Sequence, residues 1–148
     1  MKTTWVLVAE SSRARIFSTT KTNGPLTEVE ILEHPQSRQH EQTLTTDLPG
    51  RDYDAAGLGR HAMVNSSEPK QQEAIVFARQ IASVLDKNRK NNQYDQLVLM
   101  APPGFLGILR DQLNDNIIKM IVHEQNKNLV QHTAEDIREH LPFTLSAP

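Results

Sequence analysis

Two short runs without a polar residue, Trp5-Val6-Leu7-Val8-Ala9 and Leu97-Val98-Leu99-Met100-Ala101, set the terms for this fold. A strand that is apolar at every position suits burial on both faces, as happens where strands lie parallel with helices over them. Between the two runs lies a helical stripe. Ala74, Ala78, Ile81 and Leu85 recur at i, i+4, i+7 and i+11, and Phe77 and Val84 widen the face. A strand, a helix and a second strand in that order imply parallel pairing through a right-handed crossover.

The remaining elements follow from local signals. Ala14 to Ser18 is a second strand, reached through Ser11-Ser12. Asn23-Gly24-Pro25 is a turn, and Leu26 to His34 alternates with Val29 and Ile31 on one face and Glu28 and Glu30 on the other. These three strands form an antiparallel meander. Ser66 or Ser67 is the expected cap of the first helix, with Pro69 in its first turn. Lys87, Arg89 and Lys90 suit its carboxyl end. Pro102-Pro103-Gly104 ends the apolar run 97–101. Leu106, Leu109, Leu113, Ile117 and Ile121 mark a second long helix, and Asn128 to His132 a short strand. Thr133 with Asp136 opens a last helix that Pro142 stops. The expected order is β-β-β-α-β-α-β-α, a mixed sheet of the ribonuclease H-like α/β class, in one domain covering 1–148.

One stretch fits none of this. From His34 to about Glu68 no apolar period is sustained, while Pro35, Pro49-Gly50, Gly57 and Gly59 punctuate the chain. Loops beyond about 12–15 residues in compact domains are usually functional or disordered. The stretch holds three basic residues (Arg38, Arg51, Arg60) and five acidic ones (Glu41, Asp47, Asp52, Asp54, Glu68). Anion contact there rests on placed arginines, which bind phosphate or carboxylate through two parallel N–H donors.

Chemistry is mostly excluded. With 16 basic and 18 acidic residues the net charge is −2, against a generally basic nucleic-acid binder. There is no cysteine, so disulfides, thiolate zinc sites and cysteine nucleophiles are ruled out. A two-metal nuclease needs clustered carboxylates. Here the first strand offers only Glu10 at its end, the first helix Glu73, and Asp95 precedes the fourth strand. The six histidines show no HxH or HExxH spacing, and no metal or other cofactor is expected. Gly57-Leu58-Gly59-Arg60 lacks the third glycine of a dinucleotide fingerprint. No apolar run reaches the length of a secretory signal or a membrane span, so a cytoplasmic protein is expected.

The chain resembles the bacterial host attachment protein family in Trp5-Val6-Leu7-Val8-Ala9, Ala14-Arg15-Ile16-Phe17, His34-Pro35 with Arg38, and Asp47-Leu48-Pro49-Gly50-Arg51. It does so again in Gly57-Leu58-Gly59-Arg60-His61 and Leu97 to Arg110. That family is similar to the middle domain of eukaryotic and archaeal class-one release factors, whose long loop ends in a Gly-Gly-Gln tip. The resemblance implies a ribosome- or tRNA-linked binding module, acting in ribosome rescue through residues 34–68. The tip here keeps glycines but has no glutamine. Gly57 and Gly59 would let backbone approach closely, while Arg51, Arg60 and His61 would contact RNA. Two alternatives stand beside this: a non-enzymatic protein required for attachment to host cells, and a peptidyl-tRNA ester hydrolase with His61 as general base. The residues leave open whether a reaction is catalysed and what the oligomeric state is.

Overall fold

The computed structural model describes residues 2–21, 24–34 and 59–141, and of 59–70 the backbone only. The elements in chain order are β1 (Thr4–Ala9), β2 (Arg13–Thr19), β3 (Thr27–Glu33), α1 (Gly59–Lys90), β4 (Gln96–Met100), α2 (Pro103–Gln112), α3 (Asp115–Ile118), β5 (Ile121–Gln125) and α4 (Ala134–Glu139). Five strands make one mixed sheet in the order β3-β2-β1-β4-β5. β1 pairs antiparallel with β2 and β2 with β3, while β4 lies parallel to both β1 and β5.

The two apolar runs are the central strands, and alternation along them divides the core. Trp5, Leu7, Ala9, Leu97, Leu99 and Ala101 face one cluster. Val6, Val8, Val98 and Met100 face the other. The first cluster is roofed by Phe77, Ala78, Ile81 and Leu85 of α1 and by Phe105 and Leu109 of α2. The second is smaller and is covered by Leu26, Leu129, Val130, Ile137 and Leu141.

α1 ends where its basic residues predicted. Asn92 takes a left-handed conformation (φ 58°), and Gln93 N donates to Asn88 O at 2.9 Å, closing the last turn as a short polar residue can. Tyr94 then turns inward, stacks on Trp5 with ring centroids 4.8 Å apart, and donates from its hydroxyl to Leu85 O at 2.7 Å. Burial pushes its phenol up to about 12.

Four expectations are corrected. First, α1 begins at Gly59, so residues 59–68 belong to the helix and not to the preceding loop. Ser66 and Ser67 are interior, and Pro69 is not in the first turn. Ala62 and Met63 are good helix formers, and a proline inside removes one backbone bond of a 32-residue helix. Second, the helix expected from Leu106 to Ile121 is two. Leu113 is extended, and Asn114 starts α3 by accepting a bond from Ile117 N at 2.9 Å, an N-cap that competes with helix continuation. Third, the final strand is Ile121–Gln125: Ile121 pairs with Leu97 and His123 with Val98, the register shifting past β-branched Val122. Asn128–His132 is a turn, with Asn128 Oδ1 accepting from Val130 N at 3.2 Å. Fourth, the alternation of β3 is interrupted. Ile16 pairs with Glu30 but Phe17 pairs with Glu28, so a bulge at Val29 puts Glu28 and Glu30 on opposite faces. The cap at Thr133 is as expected, its hydroxyl accepting from Asp136 N at 3.1 Å.

Candidate functional site

β1, β3, β4 and β5 all end at one edge of the sheet, since β3 runs antiparallel to β2 and hence with β1. In open α/β sheets ligands are commonly held beyond the carboxyl ends of parallel strands. Here that edge is polar and tied together by side chains from distant parts of the chain.

A buried histidine anchors it: His34, directly after β3, is 8% exposed. His34 N donates to Ser12 O in the β1–β2 turn at 2.9 Å. Its Nε2 lies 2.5 Å from Glu73 Oε2 on α1. A carboxylate only accepts, so Nε2 carries the proton. The ring stacks on Phe77 at 5.6 Å, and Phe77 on Phe105 of α2 at 6.2 Å. A buried imidazole pressed against an aromatic ring keeps a polar partner because leaving it unpaired costs free energy. Thirty-nine positions separate the two partners, so no local spacing announces the pair.

Beside it, Glu10 follows β1 and accepts from Ser12 Oγ at 3.3 Å and from Asn128 Nδ2 at 2.9 Å. Across β4, Arg110 of α2 pairs with Glu124 of β5. Gln125 contacts His123 Nε2 at 3.0 Å and donates to His140 O. Among the described residues no three histidine, aspartate or glutamate side chains gather as metal ligands. None of the described helices is long and apolar enough to cross a membrane.

The sequence-predicted binding residues sit next to this edge along the chain. Arg51 and Gly57 lie outside the described residues. Gly59, Arg60 and His61 form the first backbone positions of α1, which places them on a helix instead of a loop tip. The described chain leaves β3 at His34 and is resumed at Gly59. The His34–Glu73 pair ties the end of β3 to the body of α1, fourteen positions past Gly59, and so links the two elements that flank Arg51 and Gly57. Sequence reasoning named His34 and Glu73 separately and missed their pairing.

A mixed α/β domain with a polar carboxyl edge is the class defined so far; comparison with known proteins specifies it. The family described as "Protein required for attachment to host cells" matches residues 5–141, and this chain belongs to it. An uncharacterized protein of Rickettsia prowazekii is 29% identical over 121 residues, 78% of this chain and 74% of that protein. The structure of an archaeal translation termination factor, aRF1, is similar with a TM-score of 0.49 and 11% identity over 95% of this chain. The chain spans only 35% of that structure's length.

Proposed function

We propose that this protein is a binding module whose working surface is residues 34–68 and whose partner is RNA of the translation apparatus, ribosome or tRNA, in ribosome rescue. The observation that carries the reading is the His34–Glu73 pair, which fixes the end of β3 to α1 on either side of that stretch. A scaffold that uses a buried histidine and a carboxylate to hold β3 against α1 is suited to presenting what lies between those two elements. The sequence supports the partner: Asp47-Leu48-Pro49 and the glycines 57 and 59 resemble the release-factor loop, and Arg51 and Arg60 suit phosphate. The missing glutamine favours binding over hydrolysis of the peptidyl-tRNA ester.

The test is co-sedimentation with ribosomes and binding to tRNA across a salt series, comparing wild type with Gly57→Ala/Gly59→Ala/Arg60→Ala. The expected result is salt-sensitive binding, log K falling by roughly 0.7–0.9 per phosphate neutralised, and lost in the variant. No binding at low salt rejects the reading. Tip-dependent turnover of peptidyl-tRNA would make the protein an enzyme instead. The family description favours a second reading, a role in attachment to host cells. Loss of adhesion on deletion of the gene, with the protein found at the cell surface, would establish it as direct.

A further inference from the structure

We propose that the outer edge of β3 receives an extended peptide in which lysine or arginine alternates with apolar residues. This is independent of the RNA reading, because it rests on Thr27–Glu33 alone. β3 is the outermost strand, and among the described residues its far side has no neighbour. Its residues 27 to 31 are all exposed. Only four large apolar side chains are exposed among the described residues, and two of them, Val29 at 47% and Ile31 at 48%, are here within three positions. The opposite edge differs: in β5 only Val122 is exposed and its four neighbours are half-buried.

Charge selects the occupant. Glu28 is engaged by Arg15 at 2.6 Å, and Glu33 lies 4.0 Å from Arg13. Glu30, between the two exposed apolar residues, has no ion-pair partner among the described residues. Ile31 lies opposite Arg15 and Glu30 opposite Ile16, so the two side chains stand on different faces of the sheet. A strand added to this edge makes main-chain hydrogen bonds and reads alternate side chains on each face. Opposite Ile31 it needs an apolar residue, and opposite Glu30 a cation. A second copy of this chain is a poor occupant. Laid antiparallel about its centre, it sets Glu30 against Glu30, and like charges directly opposed destabilise a sheet. The glutamates that keep copies of the chain apart thus leave the edge open to a basic partner.

The experiment is fluorescence anisotropy of a labelled short peptide alternating lysine and valine, titrated with the intact protein. Saturable binding is expected, weakened about tenfold by Glu30→Lys and several-fold by Ile31→Thr, and unchanged by Val122→Thr on the other edge. All three positions are exposed, and circular dichroism confirms that each variant is folded. A peptide of equal composition with lysines and valines in separate blocks is expected to bind about tenfold more weakly. Equal binding of both peptides, or wild-type affinity in Glu30→Lys, overturns the proposal. A dimer that Ile31→Thr dissociates and that excludes the peptide overturns it in favour of a second copy.

Discussion

His34 illustrates how one polar residue is made tolerable in an apolar setting, and what its removal costs. His34→Ala deletes a stacked ring beside Phe77 and leaves the Glu73 carboxylate, already half-buried, without its donor. A loss of about 1–3 kcal/mol in urea unfolding is expected. Glu73→Gln keeps the volume and an acceptor, so its loss is expected to be smaller. Asp86 gives the pH counterpart. Its carboxyl accepts from Asn114 and pairs with Arg89 and Lys90, which hold it down at about 2 against an ordinary 3.8. A carboxyl lowered on folding stabilises fully above its unfolded value and loses that contribution as pH falls through the folded one. Stability is therefore expected to fall between about pH 4 and pH 2, with a shallower slope in Asp86→Asn, followed by denaturation at a series of acid pH values. Tyr94 titrates with the opposite sense at the other extreme. Its raised value means a contribution present below pH 10 and lost as pH rises through about 12.

At the scale of elements, continuous apolar runs were the most legible feature. Thr4–Ala9 and Gln96–Met100 are strands because both faces of the central sheet are covered, and the apolar runs 5–9 and 97–101 record that in every residue. The stripe Ala74–Leu85 was equally plain. The boundary at Asn114 was not, because the apolar spacing from Leu106 to Ile121 is helical throughout and is overridden by one side-chain cap. Asn114→Ala removes that cap and the bond to Asp86, and a loss of about 1 kcal/mol is expected in thermal or urea unfolding. The edge of β3 was misread for a related reason: a bulge shifts side-chain alternation and leaves no mark in Thr27-Glu28-Val29-Glu30-Ile31 that distinguishes it from a regular strand. The pairing of His34 with Glu73 was illegible because it is a tertiary contact between residues each unremarkable in its own segment.

Taken whole, the molecule is unevenly insulated. α1 and α2 roof one face of the sheet, but the second core cluster depends on the turn near Val130, on Leu26 and Leu141, and on a six-residue helix with one buried side chain, Ile137. Arg15 reinforces this side, stacking over Phe17 at 4.9 Å and donating to the carbonyls of Val130 and His132 at 2.9 and 2.7 Å. Ile137→Ala is expected to cost about 2–4 kcal/mol, and hydrogen exchange should then rise first at Val6, Val8 and Val98, ahead of Leu85 and Leu109 on the other side. Unchanged stability would show that α4 contributes little.

The His34–Glu73 pair bears on what natural variation can do to this protein. The pair closes the scaffold without drawing on any residue from 35 to 58, so the scaffold's cohesion and the content of that stretch are separable traits. Closing a longer connection costs only about 0.6 kcal/mol per doubling of its length. Relatives that keep a histidine and a carboxylate at these two places are free to lengthen, shorten or rewrite the stretch between, and so to change what they bind while inheriting the same foundation.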